Sequence, residues 1–168
     1  MRWVLLLRAV NLGATNKLPM ADLRGLLADL GHTEVRTVLN SGNAVFCSDR
    51  TDAQDLAAEV ERTLAGRGLH VRACVRRPEQ VQQALDELPA DLPESAYVVV
   101  TVLFDEPADV EVVLAHPWES ETIRAGDGVL YLAYGGPVHT SKLTAAWLEK
   151  RLGVATTSRT PATLRRLL

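Results

Sequence analysis

The apolar pattern of this chain is written twice, and that repetition constrains its fold more than any single motif does. In the first half, residues 4–10 form a short apolar run closed by turn residues, the mark of a buried strand. Met20, Leu23, Leu26, Leu27 and Leu30 then recur at the spacing of a one-faced helix, with Pro19 suited to its first turn and Gly31 to its stop. VRTVLN and NAVFCS flank a tight Ser41-Gly42 corner and predict a hairpin. Thr51 opens a second helix with Gln54 three residues on, a capping box, and its stripe is Leu56, Val60 and Leu64. Gly66 and Gly68 end it, and LHVRACV is a fourth strand.

After a connecting helix over residues 78–88 and the linker PADLPES, the same order returns. Residues 97–104 make a strand, and Pro107 starts a short helix through Val110, Val113 and Leu114. ETIR and GVLYLAY flank a turn at residues 125–128, residues 141–152 form a helix stopped by Gly153, and residues 154–158 are a last strand. Thr160-Pro161 caps a terminal helix ending in LRRLL. The expected class is α+β: tandem ferredoxin-like βαββαβ units with antiparallel sheets, a connecting helix and a short C-terminal helix. The units fall at residues 1–77 and 96–168, joined by 78–95, and TEVR before one hairpin echoes ETIR before the other.

Charge narrows the partners. The net charge is −3, but residues 1–84 carry +2, residues 85–127 carry −10 and residues 128–168 carry +5. An acidic middle repels phosphates, which argues against wholesale coating of nucleic acid while leaving the two basic ends able to attract anions. The opening MRWVLLLR has five apolar positions before Arg8, too few for a signal-peptide core. The longest apolar run, residues 96–104, is far below the ~20 residues of a membrane span. A cytoplasmic location with no membrane contact is expected.

In a ferredoxin-like sheet of order 4-1-3-2, the end of strand 1, the start of helix 1, the strand 2–3 corner and the helix 2–strand 4 turn share one end. Asn11, Asn16, Lys17, Asn40, Ser41 and Asn43 should meet there, with Arg8 and His70 nearby. The first helix directs its unpaired N–H groups and positive dipole end into the same space, a setting for a small oxyanion. The competing reading is that asparagine and glycine are ordinary turn formers here. Lys17 and Arg8 form no turn and favour a ligand.

A second candidate lies in GGPVHTSK, where His139, Ser141 and Lys142 are expected to face Arg159 and Thr160. It is not a P-loop, because Ser precedes Lys, and a plain helix cap at Thr140 or Ser141 competes with it.

No metal site or cofactor is expected: the four histidines are scattered, and Cys47 and Cys74 lack metal spacing. With strand 1 between their strands these cysteines sit roughly 9 to 10 Å apart, beyond disulfide reach, and stay thiols in a reducing compartment. Glu119 and Glu121 lie in a charged stretch without an identifiable partner. No nucleophile elbow, zinc-protease or dinucleotide motif occurs, so Ser41 with His70 is the one pair available to an enzyme. RNA recognition on this fold displays aromatics from strands 1 and 3, here Trp3 and Phe46, but the basic-Gly-aromatic signature is missing and both read as core.

Taken together, LLRAVNLGATNKLPMADLRGLL, LNSGNAVF, TSKL and LGVATTSR resemble a bacterial family, domain of unknown function 1697, over nearly the full chain. The matching positions are Arg8, Asn11, Gly13, Lys17, Pro19, Met20, Ser41, Gly42, Asn43, Ser141, Lys142, Leu143 and Arg159. Ala9 and Ala14 stand where the family usually has glycines, and Thr160-Pro161 where it has Asn-Trp. The resemblance implies the fold and the choice of residues, and supplies no reaction. The leading expectation is therefore a protein binding a small anionic ligand at the loop end of Lys17 and the Ser-Gly-Asn hairpin. An enzyme at the same site and an RNA-binding protein are the alternatives. An uncovered sheet face calls for a partner chain or the other repeat.

Overall fold

The computed structural model describes residues 1–107 and 109–168. The first element order is β1 (Arg2–Leu7), α1 (Met20–Asp29), β2 (Thr33–Val38), β3 (Asn43–Cys47), α2 (Ala53–Gly66) and β4 (Ala73–Arg76). These four strands form an antiparallel sheet of order β2-β3-β1-β4, with Trp3 opposite Phe46 and Leu6 opposite Cys74. Alternate residues of β1 reach opposite faces, and Trp3, Leu5 and Leu7 join Leu23, Leu26 and Leu27 of α1 and Leu56, Val60 and Leu64 of α2 in one core. Each fully buried leucine stabilises this core by about 1.5–3 kcal/mol. On the other face Val4, Leu6 and Val45 are buried as well, so β1 is apolar on both faces from Trp3 to Leu7.

α3 (Pro78–Asp86) follows. Then come β5 (Tyr97–Leu103), α4 (Glu111–Leu114), β6 (Glu121–Gly126), β7 (Val129–Tyr134), a 3₁₀ turn at Val138–Thr140, α5 (Ala145–Leu152), β8 (Thr156–Arg159) and α6 (Pro161–Arg165). Their sheet has the matching order β6-β7-β5-β8, again antiparallel. Val99, Leu103, Leu130 and Leu132 pack with Val113 of α4 and Leu148 and Leu152 of α5. On the opposite face the Tyr131 hydroxyl donates to the Ala84 carbonyl at 2.9 Å, and its burial pushes its pKa up. The architecture is thus mixed α+β with two four-stranded antiparallel sheets.

By contact density the chain forms two compact units, Met1–Gln82 with Arg166–Leu168, and Gln83–Arg165. Within the first, Arg36 Nη1 donates to the Arg166 carbonyl at 2.8 Å, and Leu167 is fully buried. No described helix is long and apolar enough to cross a membrane. Neither Cys47 nor Cys74 is in a disulfide.

Two helix starts differ from the sequence reading. The cap of α2 is Asp52, not Thr51: its backbone is extended and its Oδ1 accepts from the Asp55 amide at 2.9 Å, leaving Gln54 outside any capping box. α5 begins at Ala145, with Thr144 Oγ1 accepting from the Trp147 amide at 3.1 Å. Ser141 and Lys142 therefore precede the helix rather than open it, because the Ser141 backbone is extended and its hydroxyl is engaged elsewhere. Of the expected short helix begun by Pro107, Ala108 lies outside the described residues and the helical turn itself is confined to α4.

Candidate functional site

The loop after β1 does reach the Ser-Gly-Asn hairpin. Asn11 Nδ2 donates to the carbonyl and to Oδ1 of Asn40, at 3.0 and 3.1 Å. The same group donates to the Leu18 carbonyl at 2.8 Å, while Asn11 Oδ1 accepts from the Leu18 amide at 2.8 Å. Asn16 Nδ2 donates back to the Ala9 carbonyl at 3.3 Å, and the Asn11 amide donates to the Asn16 carbonyl at 3.0 Å. Across the corner, Asn43 is fully buried and its Nδ2 donates to the Val38 carbonyl at 3.0 Å and to Ser41 Oγ at 2.9 Å. The Leu7 amide donates to the Gly42 carbonyl at 2.8 Å, tying strand to corner.

These bonds explain why asparagine stands there. Ala9, Asn11 and Asn16 hold φ of 55°, 55° and 51°, left-handed angles that cost most side chains about 1–2 kcal/mol and asparagine less. Gly42 is required more strictly: at φ 75° a Cβ would lie 2.5 Å from Val10 Cγ2 and 2.7 Å from Leu7 Cβ. The side-chain amides of Asn11, Asn16 and Asn43 are thus engaged by the protein's own groups, so the convergence foreseen from topology builds a lock between two loops. Lys17 is exposed on that loop, and Arg8 is half-buried with its amide on the Arg72 carbonyl at 2.9 Å. Ser41, the expected enzyme nucleophile, accepts from Asn43. Trp3 and Phe46 are 2% and 0% exposed, so no aromatic platform for RNA is displayed by this sheet.

The second candidate separates. β6 and β8 are the two edges of their sheet, with β7 and β5 between them. The Ser141 hydroxyl donates to Glu121 Oε1 at the start of β6 and accepts from the Leu143 amide at 3.0 Å. Arg159 lies on β8, roughly 14 Å away across three strand spacings, with Nη1 on Thr157 Oγ1 at 2.7 Å and the Ser158 carbonyl at 2.8 Å. Ser141 and Lys142 therefore do not face Arg159. The chain leaves β7 beside β6 rather than β8, because the antiparallel pair puts Tyr134 opposite Glu121.

What forms around Ser141 is a cleft of about 240 Å³ that Lys142 also lines, with His116, Trp118, Glu119 and Glu121 among its other walls. Ring centroids lie 4.4 Å apart for His116 and Trp118 and 4.8 Å apart for Trp118 and Trp147. Arg151 sits 3.8 Å over the Trp147 ring, bracing that wall. Trp118 Nε1 is buried without a hydrogen-bond partner. Glu121 is not the partnerless carboxylate its sequence suggests: the Ser141 hydroxyl, then the Ser120 amide and hydroxyl, stabilise its charge and hold its pKa down. The buried Tyr134 hydroxyl donates to the Leu143 carbonyl at 3.0 Å. Sequence reasoning missed His116, Trp118 and Glu121 as wall residues. The available signal was the tryptophan beside Pro117 within an otherwise acidic stretch.

A family model described as a protein of unknown function, DUF1697, matches residues 1–131. The chain belongs to this family. The DUF1697 match covers the whole locked loop end but only the first side of the cleft, since Ser141 and Lys142 lie beyond it. Among solved structures the chain is similar to a conserved bacterial protein from Streptococcus pneumoniae, at 27% identity over 99% of this chain and 96% of that one, with a TM-score of 0.74. No curated protein matches. Among the described residues no group of three or more His, Cys, Asp or Glu is placed to hold a metal.

Proposed function

We propose that this DUF1697 protein binds a small polar metabolite with at least one anionic group, and that the ligand enters the cleft of the second unit. The observation that carries this reading is the pairing of a concave, aromatic-walled space with Lys142, an exposed cation lining it. The locked loop end offers a second setting for an anion, because Lys17 is exposed there beside the start of α1. Its asparagines are engaged internally, which favours the cleft.

The same proposal includes the architecture and setting. Each unit reads as ferredoxin-like and the pair as an internal duplication, supported by one element order and one strand order occurring twice. Two thiols not joined in a disulfide accord with a reducing, cytoplasmic setting.

A thermal-shift screen of a metabolite library against wild type, Lys142→Ala and Lys17→Ala tests it, since a ligand of the native state raises Tm. The expected result is a stabilising compound whose effect is lost in Lys142→Ala and kept in Lys17→Ala. The reverse pattern moves the site to the loop end and overturns the reading.

A further inference from the structure

Two opposite charges line the cleft without meeting. Glu119 and Lys142 both border the same space of about 240 Å³, yet no ion pair or side-chain hydrogen bond engages either one among the described residues. Glu121 adds a second negative charge, and it is held ionised by donors from the protein itself. A ligand with a single anionic group would answer Lys142 and leave the acidic side facing it. A ligand with a single cationic group would do the converse.

Size sets a further limit. At about 240 Å³ the cleft lies below the roughly 300–1,000 Å³ of typical cofactor and drug sites. A molecule the size of an amino acid fits within it, and anything much larger would project from the open side. The rings of His116 and Trp118 offer faces and edges for an apolar or planar group.

Resting on the cleft as the binding site, we infer that its ligand is a small zwitterion: a free α-amino acid, its carboxylate on Lys142, its ammonium toward Glu119 and Glu121, and an apolar side chain on Trp118 and His116. The pairing of ammonium and carboxylate on one short molecule matches opposite charges held on two segments that do not bridge on their own. Binding then closes both charge-assisted contacts at once on one molecule.

The test uses the full chain labelled with ¹⁵N and follows the indole N–H signal of Trp118, assigned with a Trp118→Phe variant. The protein amino acids are titrated at millimolar concentration, and the best binder is compared with its decarboxylated amine and its deaminated acid. At least one amino acid is expected to shift the Trp118 signal, and each single-charge counterpart to bind at least about tenfold more weakly, a loss of about 1.4 kcal/mol or more. Glu119→Gln should weaken the amino acid but not the deaminated acid, and Lys142→Gln should weaken the amino acid but not the amine. Both positions are exposed, so circular dichroism should show both variants folded. If the amine or the acid binds as tightly as the amino acid, or if a different metabolite moves Trp118 while no amino acid does, the zwitterion is overturned and the cleft survives. If neither the amino acids nor any library compound moves Trp118, both readings fall.

Discussion

Replacing Asn11 by alanine removes the side chain that joins the two loops of the first unit. Three interactions go with it: the donation to the Leu18 carbonyl, the acceptance from the Leu18 amide, and the shared donation to Asn40. Leu18 is 2% exposed, so its backbone groups lose partners where water does not readily replace them. At about 1 kcal/mol net per bond the loss is about 3 kcal/mol. The φ of 55° adds about 1 kcal/mol, because alanine accepts left-handed angles less readily than asparagine. The total is about 4 kcal/mol, a drop in Tm of roughly 8–16 °C for a chain of this size. Urea unfolding followed by circular dichroism measures it. Asn11→Gly serves as the partner variant: it loses the same bonds but relieves the backbone, and should lie about 1 kcal/mol above Asn11→Ala. A cost below about 1 kcal/mol for Asn11→Ala would refute the lock and favour a ligand-binding role for this loop end.

Other substitutions probe the same logic. Gly42→Ala should cost more than about 3 kcal/mol, since its Cβ meets Val10 and Leu7 at a left-handed angle, whereas Gly13→Ala, with φ 61° and open space, should cost about 1 kcal/mol; paired denaturation curves check the contrast. Burial lowers the His32 pKa below 6.5, with Arg50 adding to the effect and Glu59 opposing it, so the unfolded chain takes up the proton first. The stability this group contributes is fully present above pH 6.5 and declines as pH falls toward the folded value; His32→Asn should flatten that slope in stability measured against pH. Ser141→Ala removes the leading donor to Glu121, so the carboxyl should titrate at a higher pH by NMR than in wild type. Thr144→Ala removes the α5 cap and should cost about 1 kcal/mol in urea unfolding.

How far the sequence reached differs between the two ends of the molecule. In the first unit, strand order follows from alternation and loop length. Apolar β1 must be central because both its faces are buried, and a two-residue corner must pair β2 with β3. That topology brought Asn11 and Asn40 together on paper, and they meet. It could not say what their amides do once there, because turn asparagines and ligand asparagines are the same residue in the same place. The left-handed angles and the Leu18 bonds decide it.

In the second unit the sequence assigned Ser141 and Lys142 to a helix start and pointed them toward Arg159. A hydroxyl before a helical stripe is a cap signal only if no better partner is near, and the partner, Glu121, is twenty residues away in sequence. Local propensity does not register such a neighbour. Apolar periodicity, glycine stops and chain length by themselves determined the elements, their order and both sheets, since those depend on which faces must leave water. The side of β7 on which the chain returned, the partner each polar group took and the existence of a cleft between His116 and Lys142 were decided by the tertiary structure alone, because they depend on distances between residues that the linear pattern leaves free.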